Sequence, residues 1–113
     1  MSRDVRLVLG DIVEAGRRAI AYVSDMSLTE FRSDQRTIDA VVRTIEIMGE
    51  AAKNVPETIR TQLPNVPWRA ICGMRDLLIH AYHGVDIDLV WDTATNQTPR
   101  VVAEIERWLT RSR

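Results

Sequence analysis

The sequence predicts an all-α protein, an antiparallel bundle of about five helices. Apolar residues recur at three-and-four spacing over long stretches, helix-starting and helix-stopping residues stand at the ends of those stripes, and no run alternates as a strand would. With 113 residues, 45% hydrophobic and 27% charged, the chain has the size and composition of one globular domain spanning residues 1 to 113.

Val5, Val8, Leu9, Ile12, Gly16, Ala19, Ile20 and Val23 share one helical face, which predicts a first helix over about residues 4 to 24. Ser27 followed by Glu30 is a capping box that opens a short helix, Leu28 to Phe31, before Ser33 and Asp34 interrupt it. A third helix carries Ile38, Val41, Val42, Ile45, Met48, Ala52 and Val55 on its apolar stripe. Arg43, Glu46, Glu50 and Lys53 lie outside that stripe at spacings that allow ion pairs one turn apart, and Pro56 stops the helix.

Pro56 also suits the start of a short helix, Glu57 to Leu63, because proline's missing N–H is not needed there. Pro67 begins a further long helix that runs to His83, where Gly84 is placed to end it in a left-handed cap. Asp86 caps the last helix, whose inward residues are Ile87, Val90, Trp91 and Ala94. Pro99 kinks or breaks it, and Val101, Val102, Ile105, Trp108 and Leu109 continue the stripe beyond. The tryptophans, Trp68, Trp91 and Trp108, sit at helical spacing with aliphatics and read as packing residues.

A net charge of −1 gives the molecule no long-range basic field, so contact with nucleic acid must rest on a local patch. Fourteen of the fifteen basic residues are Arg, Lys53 being the exception. No apolar run approaches the roughly 20 residues of a membrane span, and the charged start, Met1 to Arg6, leads directly into an amphipathic pattern. A cytoplasmic location is therefore expected. Cys72 is the only cysteine; it has no partner for an internal disulfide or a thiolate metal site and reads as a small apolar filler.

The chemistry concentrates in "GMRDLLIHAYHGVD", residues 73 to 86, which holds both histidines of the chain. With Arg75 at zero and about 100° per residue, Ala70, Ile71, Met74, Leu77, Leu78 and Ala81 form the predicted core arc. Arg75, Asp76, Ile79, His80, Tyr82 and His83 lie outside it. Asp76 and His80, four apart, are placed for a carboxylate–imidazole hydrogen bond that fixes the tautomer and raises the imidazole pKa toward neutrality. Arg75 offers a planar fork of donors suited to phosphate. A cation beside a proton-transferring histidine supports RNA cleavage without a metal: the base takes the 2'-OH proton and the cation stabilises charge developing on phosphorus. Asp76, His80 and His83 share an arc compatible with a metal, but surface ligands without a supporting shell seldom hold one, so none is expected.

Arg75 and His80 diverge by about 140° around one helix, which presents them poorly to a single phosphate. A two-fold dimer packed through the polar arc brings the pair from two copies into one cleft, with Ile79 supplying apolar contact.

The arginine, four residues, histidine, one residue, tyrosine pattern of Arg75, His80 and Tyr82 resembles the signature of HEPN-domain ribonucleases, specifically the HepT-like toxins of HEPN/MNT toxin-antitoxin systems. "YVSDMSLTEF", "DAVVRTIEIMGEAAKNVPE", "VPWRAICGMRDLLIHAYHGVD" and "VWDTATNQTP" look like successive blocks of that family. The resemblance implies an all-helical homodimer with a metal-independent endoribonuclease site, no cofactor, catalytic Arg75 and His80, and Asp76 as a supporting neighbour. It also implies a nucleotidyltransferase antitoxin that uses ATP and Mg²⁺ to attach AMP to Tyr82. Asp76 stands where these toxins often carry Asn, Ala81 where Gly is common and His83 where a large aromatic is common. An Asp beside Arg75 is expected to neutralise part of the phosphate-binding charge. The alternative is a non-catalytic HEPN module that binds nucleotide or scaffolds a nucleotidyltransferase.

Overall fold

The computed structural model describes residues 4–81 and 84–111, and all regular structure among them is helical. The elements are α1 (Val5–Val23), α2 (Leu28–Arg32), α3 (Gln35–Ala52), α4 (Glu57–Arg60), α5 (Trp68–Ile79), α6 (Ile87–Asp92) and α7 (Thr98–Arg111), with a π turn, Thr93–Gln97, joining α6 to α7. Four long rods, α1, α3, α5 and the α6–α7 segment, form the bundle. Among the described residues no helix is long and apolar enough to cross a membrane.

The local signals act as their chemistry dictates. The Ser27 hydroxyl accepts from the Glu30 N–H at 3.1 Å while the Glu30 carboxylate accepts from the Ser27 N–H at 2.8 Å. This completes the capping box that turns the chain from α1 toward α3. Asp34 and Asp86 cap α3 and α6 through the N–H groups of Thr37 and Leu89. α4 is shorter than expected. Its Arg60 instead reaches back to the end of α3, donating to the carbonyls of Ala52 at 2.8 Å and Val55 at 3.0 Å, and lies over the Trp68 ring. A guanidinium thus adds donors to carbonyls at and just beyond the C-terminal end of α3.

Two apolar clusters run along α3 and set the directions of its neighbours. In one, Val8, Leu9 and Ile12 from the early part of α1 meet Met48 and Ala52 from the end of α3, Trp68 from the start of α5, and Val101, Ile105 and Trp108 from α7. In the other, Val23 from the end of α1 meets Ile38, Val41 and Ile45 from the first half of α3, Leu78 from the end of α5, and Val90 and Ala94. The start of α3 meets the ends of α1 and α5 and its end meets their starts, so α3 runs antiparallel to both, while α1 and α5 point the same way. Fully enclosed Phe31 fills the second cluster and stacks at a tilt on Trp91, ring centroids 5.2 Å apart.

The irregularity expected near Pro99 is the π turn. The Thr98 N–H bonds to the Thr93 carbonyl, five residues back, so the helix widens by one residue just before a proline that has no N–H to give. α7 then continues through Pro99 to Arg111.

Candidate functional site

α5 is shorter than its sequence suggests. It ends at Ile79, and His80 is its C-cap with φ −104° and ψ 4°, so the helix expected to reach His83 ends four residues earlier. Gly84, at φ +131°, takes a backbone conformation that favours glycine, but it stands in the following loop rather than at the helix end. Tyr82 and His83 lie outside the described residues.

The buried arc of α5 is rotated from the expected one. Leu78 is buried and Ile71, Met74 and Ala81 are half-buried, whereas Ala70 and Leu77 are exposed, Leu77 by 56%. Ala70 and Leu77 share one edge of the expected arc, near 200–220° at about 100° per residue. The opposite edge, toward Arg75, is where α3 comes closest. The cause is Gly49. A Cβ there would overlap Arg75 Cβ and come within 2.9 Å of the Ile71 carbonyl oxygen, so only glycine lets α3 and α5 approach this closely.

That approach fixes Arg75 as a half-buried side chain, 25% exposed, whose Nη2 lies 2.7 Å from Glu50 Oε2. Its Nη1 lies 3.1 Å from Asp76 Oδ1, and the Lys53 ammonium pairs with the same Asp76 oxygen. Two cations and two carboxylates alternate as Lys53, Asp76, Arg75, Glu50. The Lys53 ammonium first and the Arg75 guanidinium second hold the Asp76 carboxyl below its usual 3.8. The expected partial neutralisation of Arg75 by Asp76 is present, and Glu50 adds to it.

His80 and Asp76 are in contact, but not through the carboxylate. His80 Nδ1 lies 2.8 Å from the Asp76 backbone carbonyl, one of the orphan acceptors at the end of α5. A carbonyl only accepts, so Nδ1 carries the proton of the neutral ring and Nε2 presents its lone pair. The Asp76 carboxylate faces Lys53 and Arg75 instead, both of which pair with its Oδ1. His80 is exposed.

Arg75 opens onto a groove of about 280 Å³ lined by Asp11, Arg43, Glu46, Glu50, Asn54 and Ile79 among others. Ile79 is 43% exposed. His80 is not among the groove's lining residues. A larger, open concavity of about 650 Å³ between α1 and α7 contains none of Arg75, Asp76 and His80, and its Arg17 is paired with Glu106. Among the described residues no cluster of His, Cys, Asp and Glu is arranged to hold a metal ion.

Sequence reasoning did not single out Gly49 or the Lys53–Asp76 pair. A glycine inside a strong helical stripe is a signal of close backbone approach. The Lys53–Asp76 pair joins two helices across 23 residues and leaves no local pattern.

The profile of the family described as "HepT-like: Ribonuclease HepT-like" matches residues 12–108. A protein of Methanocaldococcus jannaschii provisionally named an RNase is 41% identical over 104 residues, covering 92% of this chain and 86% of that one. A protein of Thermococcus cleftensis provisionally named ribonuclease HepT is 37% identical, covering 95% and 97%. Another, from Caldanaerobacter subterraneus and also provisionally named an RNase, is 36% identical, covering 92% and 93%. No solved structure matches the chain.

The Asp76 environment has a pH consequence. A carboxylate with a lowered folded-state pKa contributes stability above its unfolded value and loses it as pH falls through the folded value. Lys53→Met should therefore destabilise the protein above about pH 3.8, and the difference from the unmodified chain should vanish at lower pH. Urea unfolding across pH 2.5 to 7 checks this; a deficit independent of pH would contradict the pairing.

Proposed function

This chain belongs to the HepT-like ribonuclease family, and from that premise we propose that it is an endoribonuclease that cuts RNA without a metal ion, as the toxin of a toxin-antitoxin pair. The observation that carries the reading is the state of the two motif side chains. Arg75 is oriented by Glu50 at the mouth of a groove, and His80 has one nitrogen committed to a backbone carbonyl and the other available to take a proton.

In the proposed reaction His80 Nε2 takes the proton of a ribose 2'-OH. The 2' oxygen forms a bond to phosphorus, the bond from phosphorus to the 5' oxygen breaks, and the departing oxygen takes a proton from water, whose hydroxide is neutralised by the proton that His80 then releases. Arg75 releases Glu50 or shares its donors and stabilises the charge gathered on the phosphoryl oxygens. The site is a homodimer site in this reading. Its support is that His80 does not line the groove onto which Arg75 opens, while Leu77 and Ile79, 56% and 43% exposed, leave apolar surface beside them.

The test is total RNA incubated with the purified dimer in EDTA. Cleavage should persist, fall roughly 10²–10⁴-fold in His80→Ala and about 10²–10³-fold in Arg75→Ala. Intact RNA with a verified dimer would overturn the proposal, and nucleotide binding that is lost in Arg75→Ala while RNA stays whole would establish the non-catalytic module instead.

The proposed control is adenylylation of Tyr82 by a partner nucleotidyltransferase using ATP and Mg²⁺. AMP two residues beyond His80 adds bulk and negative charge where an RNA phosphate must approach. Co-expression with such a partner should add the mass of AMP to the chain by intact-mass spectrometry. The addition should be absent in Tyr82→Phe; its presence there would reject Tyr82 as the acceptor.

A further inference from the structure

The turn of α3 that crosses α5 places three residues around one guanidinium. Gly49 admits the backbone of α5, Glu50 takes Arg75 Nη2 at 2.7 Å, and Lys53, the C-cap of α3, pairs with Asp76, which follows Arg75 on α5. Lys53 is the one lysine in a chain with fourteen arginines. Glu50 orients Arg75 directly, but the ribonuclease reading leaves Lys53 without a task.

Its contact supplies one. Arg75 Nη1 and the Lys53 ammonium bear on the same atom, Asp76 Oδ1. The Nη1 contact is 3.1 Å, longer than the roughly 2.7–2.9 Å usual between a charged N–H and a carboxylate. The Glu50 contact, at 2.7 Å, has the usual length. An oxygen shared by two cations gives each less than its full pull, so Lys53 loosens the hold of Asp76 on Arg75. The charges act in the same direction. With Lys53 present two cations balance two carboxylates; without it, near neutral pH, both carboxylates face the guanidinium alone and leave it little positive charge to offer a third anion. The groove onto which Arg75 opens is lined by Arg75 and Glu50 but not by Lys53 or Asp76, which leaves Arg75 as the group through which the outer pair bears on a phosphate seated there.

We infer that Lys53 is a positioning residue for phosphate recognition: by sharing Asp76 Oδ1 it keeps the Arg75 guanidinium from being neutralised, and so sets the affinity of the groove for an RNA phosphodiester. The inference rests on the reading of Arg75 as the phosphate-binding group. Lys53 and Asp76 are both partly exposed, so water screens the pair and its effect is a factor of a few, not orders of magnitude.

The experiment measures, by fluorescence anisotropy at one fixed ionic strength, binding of a short single-stranded oligonucleotide made wholly of 2'-deoxynucleotides, which has no 2'-OH and is not cut. Lys53→Met should weaken binding about three- to fivefold, whereas Lys53→Arg, which keeps the charge, should not. In an Asp76→Asn background no carboxylate remains for Lys53 to share, and there Lys53→Met should change the affinity by less than about 1.5-fold. A loss of the same size in that background overturns the inference, because Lys53 would then be touching the phosphate chain itself. Unweakened binding in Lys53→Met overturns it as well. NMR of the ligand-free chain gives a readout that needs no nucleic acid: the Arg75 Nη1 protons should exchange with water more slowly in Lys53→Met than in the unmodified chain, and equal rates overturn the linkage. If the unmodified chain binds no oligonucleotide, the phosphate reading of Arg75 fails and takes the affinity claim with it, while the exchange rates still decide whether Lys53 acts on Arg75.

Discussion

The crossing of α3 and α5 at Gly49 is the constraint on which the rest depends. Helices that meet through full side chains pack roughly 8–10 Å apart. Here one of the two meeting residues has no side chain, and the backbone of α5 comes close enough for Ile71 O to stand 2.9 Å from where a Cβ would be. Arg75 is thereby rotated from the solvent edge of α5 into the seam, its guanidinium beside Glu50 on the next residue of α3. Leu77 is rotated out of the core by the same movement.

The charged groups at that seam reconcile a near-neutral molecule with a phosphate-directed reading. Lys53, Asp76, Arg75 and Glu50 alternate in sign, so the arginine is oriented without leaving a strong positive patch. A phosphate entering this site competes with carboxylates for donors already in use. The cost of that exchange is smaller at a half-exposed site than in a dry interior, because water screens the pairs that are broken. His80 gains its orientation from a different source, the unpaired carbonyl at the end of the helix that carries both residues. The end of α5 at Ile79 is thus what orients the imidazole.

Much of this was legible in the sequence. The helix stripes, the Ser27–Glu30 capping box and the Asp34 and Asp86 boundaries are local signals, and local hydrogen bonding executes them in the structure. The rule that Arg75, Asp76, Ile79 and His80 stand off the core also holds. What was not legible depends on contacts between distant helices. Helical periodicity centred the core arc symmetrically on its apolar residues and so buried Leu77, because it carries no information about where the neighbouring helix makes its closest approach. The expected Asp76–His80 contact forms through the backbone carbonyl instead, while the carboxylate pairs with Lys53, 23 residues away and outside any helical spacing. Pro99 announced an irregularity, but its form as a π turn follows from how the helix absorbs a missing donor.

The central claim is that one chain carries half of a site and that two copies complete it. Mixed dimers test this most directly. Arg75→Ala and His80→Ala chains, each inactive as a homodimer, are unfolded together, refolded and isolated as the heterodimer through two different affinity tags. One intact Arg75 and one intact His80 then face each other across the two-fold axis, and RNA cleavage in EDTA should return to a measurable fraction of the unmodified level. A verified heterodimer as inactive as its parents would contradict the shared site.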